Sequence, residues 1–170
     1  MVIILQTAYP TTSREHRRKM GIEDFAIPGL RVWATTDFRT VRTEDGKFLP
    51  SIHACSRGTI VKEANKKTGC VLVRWDNHPD HLTPFHYINI ALLGPSCAKV
   101  GNILSLRGEN EKWTNYRITS SVETNLVRGQ RIRLLDSNGV ISVVYSNDIK
   151  KGNARVIGNT TWLKPSADHA

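Results

Sequence analysis

The stretch RGTIVKEANKKTGCVLVRWDN, Arg57 to Asn77, decides the fold. "RGTIVKEA" and "CVLVRW" are short runs rich in β-branched and apolar residues, and "NKKTG" between them carries the Asn and Gly that supply positive φ in a tight reversal. The segment therefore reads as strand, turn, strand. The same pattern continues on both sides. Upstream, "LRVWATT" alternates weakly and leads into "RTEDGKFLPS", a loop rich in Gly, Pro and charge. Downstream, "TPFHYI" is a third short strand and "NIALLGP" closes in a tight apolar turn with a proline stop. Short strands spaced by turn signals, with no convincing long helix, predict an all-β chain built from small barrels or sandwiches.

A second segment, RGQRIRLLDSNGVISVVYSN from Arg128 to Asn147, has a similar plan. Aligned on Gly69 and Gly139, Val73 meets Val143, Trp75 meets Tyr145 and Asn77 meets Asn147, an offset of about 70 residues. Hairpins share turn chemistry, so a divergent repeat and a coincidence both account for the match. Glycine and proline interrupt the pattern in "LGPSC", residues 93–97, where a domain boundary is expected. The expected organisation is an N-terminal extension over 1–27, a first small β-barrel over 28–94 and a second, more basic one over 95–170. In the extension, "TSREHRRKM" suits a short helix over 12–20, with Ser13 as its N-cap and Gly21 as its stop.

Residues 28–94 resemble a Src-homology-3-like barrel of the mind-bomb or Tudor-like type. The likeness is carried by "GLRVWA" opening the first strand, a long loop before "SRGTIV", then "VLVRWDN" and the apolar turn "INIALLG". The resemblance implies a small barrel over these residues; the second half, which shows the hairpin but lacks the rest of the signature, is expected to be a second such barrel in tandem. In mind-bomb-type domains a glycine-rich turn follows the Trp-Asp segment. Here "HPDHLTP" is longer and has no glycine, so no ligand preference is carried over.

The composition narrows the chemistry. Lys and Arg number 24 against 15 Asp and Glu, a net charge of +9, and basic chains attract polyanions such as nucleic acid, acidic lipid heads or acidic proteins. Residues 1–27 carry 4 basic and 3 acidic groups, 28–94 carry 9 and 6, and 95–170 carry 11 and 6, so the excess rises towards the C-terminus. No run approaches ~18 consecutive apolar residues, the length of a membrane span. The opening apolar run precedes the basic residues rather than following them, which predicts a cytoplasmic location. Cys55, Cys70 and Cys97 are odd in number and form no C-x-x-C, which argues against a disulfide framework or zinc ribbon. Cys70, among alternating apolar residues, reads as a small buried hydrophobe.

His78, His81 and His86 fall within nine residues, interleaved with Asp76 and Asp80. Two histidines and a carboxylate can hold an open metal site, so His78 and His81 are an outside metal candidate. A polar loop between two strands explains them without a metal, and strand alternation turns His86 away from the face of Phe85 and Tyr87. Cys55 lies two residues after His53, but no third orienting group is evident in the sequence. No catalytic residues and no cofactor are expected.

The basic residues of the second half are the stronger signal. On a strand Arg131 and Arg133 share one face while Ile132 and Leu134 take the other. Arg107, Lys112, Arg117 and Arg128 precede or flank them, and Lys150, Lys151 and Arg155 follow. Guanidinium forks suit phosphate, and Trp113, Tyr116 or Tyr145 could stack on unpaired bases if exposed nearby. Trp75 and Tyr145 sit in apolar alternation and read as core. The expected function is a non-enzymatic module contacting DNA or RNA through these nine cations, in the setting of a phage or mobile-element accessory protein. The alternative is an adaptor or inhibitor that grips an acidic host protein with the 37–50 loop and the 76–86 loop, through Asp76, His78, Asp80 and His81. A metal-dependent hydrolase is the remote alternative.

Overall fold

The computed structural model describes residues 20–158, and the expected helix over 12–20 lies essentially outside them. The described chain divides into two compact units, 20–93 and 94–158. Each holds a five-stranded antiparallel sheet.

The first unit starts with a single helical turn, α1 (Ile22–Phe25). Its sheet contains β1 (Arg31–Ala34), β4 (Arg57–Asn65), β5 (Cys70–Trp75), β6 (Thr83–His86) and β7 (Ile90–Leu92) in the order β6-β5-β4-β1-β7. A 3-10 turn over Tyr87–Asn89 links β6 to β7. The 37–50 loop, read as plain loop from the Gly, Pro and charge of "RTEDGKFLPS", contains a small hairpin of β2 (Val41–Arg42) and β3 (Phe48–Leu49). Likewise "INIALLG" is more than a turn, because Ile90–Leu92 pairs with β1. These residues pair because neighbouring strands supply partners for their backbone groups, which local composition does not reveal.

The core of this unit includes Leu30, Val32, Ile60, Val71, Val73 and Trp75, all fully buried. Trp75 Nε1 donates to Thr83 Oγ1 at 2.8 Å, and Phe85 meets the indole edge-on with centroids 5.0 Å apart. The indole is thus buried with its one donor satisfied. Cys70 is half-buried rather than enclosed.

The second unit contains β8 (Ile103–Arg107), β9 (Trp113–Asn125), β10 (Gly129–Leu135), β11 (Ile141–Tyr145) and β12 (Ala154–Ile157), in the order β11-β10-β9-β8-β12. A 3-10 turn over Ser146–Asp148 precedes its last strand. Leu104, Leu106, Ile118, Ile132, Leu134, Val144 and Val156 form one buried cluster. Full burial of a Leu or Ile contributes roughly 1.5–3 kcal/mol each.

The two sheets share one plan, but not in the register that the Gly69–Gly139 alignment implies. Strand order, the 3-10 turn and the long second strand with register shifts (β4 in one, β9 in the other) correspond. The β4–β5 hairpin therefore corresponds to β9–β10, not to β10–β11. The matching turns are Asn65-Lys-Lys-Thr-Gly69 and Asn125-Leu-Val-Arg-Gly129. Asn65 Oδ1 accepts from Lys67 N at 2.9 Å, and Asn125 Oδ1 accepts from Val127 N at 3.0 Å and Arg128 N at 2.9 Å. Both closing glycines are left-handed, with φ of 75° and 73°. "DSNG", with Gly139, is the following turn. It drew the alignment one strand too far because turn chemistry recurs at every hairpin.

Candidate nucleic-acid interface

Residues directly paired across antiparallel strands project from the same face of the sheet. In the second unit the register sorts the side chains into rows. One face carries the Leu104, Leu106, Ile118, Ile132, Leu134 core. The other carries Val122, Arg131 and Tyr145 in one row, then Ser120, Arg133 and Val143, then Ile157, Ile103, Arg117, Leu135 and Ile141. Two further rows are Arg155, Ser105, Asn115 and Arg107, Trp113. These five rows hold five arginines and no carboxylate.

The arginines differ in how they are engaged. Arg107 donates through Nη2 to Asn153 Oδ1 at 3.1 Å, and its guanidinium lies 5.3 Å from the Trp113 ring centre. Arg155 stacks over the same ring at 4.0 Å and donates to Ser105 Oγ at 3.3 Å. Arg117, Arg131 and Arg133 are exposed, and among the described residues their guanidinium groups have no hydrogen-bond or ion-pair partner. Strand geometry puts Arg131 and Arg133 ~7 Å apart, and Arg117 stands diagonally across from Arg133 at a similar spacing.

The other expected cations take different places. Arg128 ion-pairs with Asp148 at 2.6 Å and lies 3.6 Å over the Tyr145 ring. The hydrogen bond to Asp148 pushes its pKa further up. Lys112 is exposed in the 108–112 turn. Lys150 and Lys151 line a shallow open groove with Arg107, Asn153, Glu109 and Glu111, whose carboxylates offset its charge. Of the aromatics, Tyr116 packs against the core, and burial pushes its pKa up, with Asp136 adding to the shift. Tyr145, read as core, lies instead on the outer face. Ser142 and Val144 point inward, because β11 is the fourth strand of its sheet and does not take the place that β5 takes in the first. Trp113 is half-exposed, and one face of its ring carries Arg155.

The histidine loop has a structural explanation. His78 N donates to Trp75 O and His81 N to His78 O, so 75–81 is a pair of consecutive turns. Asp76 makes a two-pronged ion pair with Arg31 at 2.8 and 2.7 Å. His86 Nδ1 accepts from Ile88 N at 3.2 Å at the start of the 3-10 turn, and its ring packs so tightly on Gly69 that a Cβ there would lie 2.6 Å from Nε2. Among the described residues no three His, Cys, Asp or Glu side chains come together to hold a metal. Elsewhere in this unit, Ser51 Oγ is 3.3 Å from His53 Nε2, and His53 Nδ1 is 3.9 Å from Asp37 Oδ1. Both His53 and Asp37 are largely exposed. Asp37 already accepts from Ala54 N at 2.7 Å, so this trio lacks the dry, oriented setting an activated serine needs.

Sequence reasoning found Arg131 and Arg133 but missed the aliphatic residues beside them: Val122, Val143, Ile141 and the turn pair Leu126–Val127. Alignment of "NKKTG" with "NLVRG" would have exposed the last two. The chain matches no protein-family model, and no curated protein matches it.

Proposed function

We propose that the chain is a non-enzymatic binding module that contacts nucleic acid through the outer face of its second sheet. The observation that carries the reading is the set of exposed guanidinium groups of Arg117, Arg131 and Arg133, unpartnered among the described residues, on a sheet face whose rows hold no carboxylate. An unpaired arginine keeps all its donors for a ligand, and its planar fork matches phosphate. Arg107 and Arg155 extend the positive field but are already hydrogen-bonded. Lys112 and Lys151 add to that field from the same end of the sheet as Arg107. Binding of this kind reads phosphates rather than bases.

Each sheet is further read as a small Src-homology-3-like barrel. Strand order supports this, since the last strand returns to the free edge of the first. So do the register shifts in β4 and β9, because bulges let a short sheet curl.

A mobility shift of a mixed-sequence oligonucleotide tests the function. The expected result is a complex that weakens with salt and is lost in Arg131→Glu/Arg133→Glu. An absence of binding to single- and double-stranded nucleic acid at low salt would remove the reading.

A further inference from the structure

Leu126 and Val127, at the tip of the β9–β10 hairpin, are 97% and 82% exposed. They are not loosely held. Asn125 Oδ1 binds the Val127 and Arg128 amides, and Asn147 Nδ2 donates to Leu126 O at 3.1 Å and Val127 O at 3.2 Å. Gly129 O accepts from Thr124 Oγ1, and Arg128 is clamped between Tyr145 and Asp148. This network holds the backbone of the turn, from which two aliphatic side chains stand out into solvent.

The turn does not need them. In the first unit the same Asn-to-Gly turn carries Lys66 and Lys67 at the matching positions. Turn chemistry is thus satisfied by polar residues, and the apolar pair adds nothing to folding that is visible in its contacts. Two adjacent exposed aliphatics on a rigid tip belong to an interaction surface.

We infer that this tip is an apolar wedge that enters a base step of duplex DNA bound on the arginine face. The inference rests on the nucleic-acid reading above and deepens it. The tip is continuous with that face through Val122, which is 55% exposed and paired in register with Arg131. The face that it joins is positive through Arg131 and Arg133. Asp148 is neutralised by Arg128, and Glu123 alternates to the face opposite Val122. The end of the hairpin is a two-stranded ribbon, a shape that duplex grooves admit. Aliphatic wedges at such positions unstack a base step and kink the duplex. Duplex is the substrate on which such a wedge acts, since it parts a stacked base step. The ring faces of Trp113 and Tyr145 that lie under a guanidinium are closed to unpaired bases.

The test uses the full chain and a duplex of about 25 base pairs with a central flexible TA step, labelled at its ends for energy transfer. The wild type is expected to bring the ends together. Leu126→Ser/Val127→Thr, checked for an unchanged thermal midpoint, is expected to bind on the order of tenfold more weakly, to leave the duplex straight, and to keep the wild-type salt slope. A wild type that binds without bending, or a variant that bends DNA as well as the wild type, overturns the wedge and leaves the arginine face standing. Arg131→Glu/Arg133→Glu with undiminished binding overturns the face itself. If the wild type ignores duplex but sediments with phosphatidylserine vesicles, or self-associates in a Leu126-dependent way, the tip serves a lipid surface or a second copy and the proposal falls.

Discussion

The arginine face makes a quantitative prediction about salt. Each phosphate neutralised on duplex DNA contributes about −0.9 to the slope of log affinity against log salt, so contacts by Arg117, Arg131 and Arg133 give about −2.7. Affinity then falls roughly 40-fold between 50 and 200 mM salt. Arg131→Gln/Arg133→Gln leaves one of these contacts, a slope near −0.9 and a fall of only about 3.5-fold over the same range. Both side chains are exposed on the sheet face away from the core, so the double substitution is expected to move stability by no more than about 0.5 kcal/mol. Anisotropy of a labelled mixed-sequence duplex, titrated at four salt concentrations, measures the slope. Arg39→Gln is the control, since that exposed arginine belongs to the first unit and not to the arginine face. The reasoning is refuted if the double variant keeps the wild-type slope, or if Arg39→Gln flattens it as much as the double variant does.

Other consequences concern the scaffold. Trp75→Ala empties the fully buried indole site and strips Thr83 of a partner, so chemical denaturation should register a loss of about 3–5 kcal/mol in the first unit. Gly139→Ala has open space around the new Cβ and should cost only the about 1–2 kcal/mol of left-handed backbone. Gly129→Ala should cost clearly more, because its Cβ would strike Ser146 Oγ and lie 2.9 Å from Asn147 Oδ1; equal thermal midpoints for the two variants would contradict this. Tyr116 has its pKa raised in the fold by burial, so the folded state holds its proton more tightly than the unfolded chain. Its contribution is complete below the unfolded value near pH 10 and is lost as pH rises through the higher folded value, and Tyr116→Phe should lessen the alkaline drop in thermal midpoint. Finally, His78→Ala/His81→Ala should leave metal content and thermal response to a chelator unchanged, as measured by elemental analysis and melting with and without EDTA.

Local signals were enough for the β character of the chain. Period-2 alternation and turn residues mark β4, β5 and β10, and the placement of Ile132 and Leu134 inward with Arg131 and Arg133 outward follows from alternation alone. Those signals depend on neighbours one or two residues apart, which sequence displays directly. They do not say which strand is which in the sheet. The missed β2–β3 hairpin, the strand at Ile90–Leu92 and the one-strand slip of the repeat all have this origin.

The candidate site was legible only in part for the same reason. Sequence alone determined that the second half is basic and that one strand presents paired arginines. Tertiary structure decided that Arg117 joins them from a neighbouring strand, that Arg107, Arg128 and Arg155 already have partners, and that Tyr145 faces outward. It also set Leu126 and Val127 at a rigid tip beside them. The physical reason is that a side chain's availability depends on what lies across the sheet from it, and cross-strand register is fixed by hydrogen bonds between residues distant in the chain.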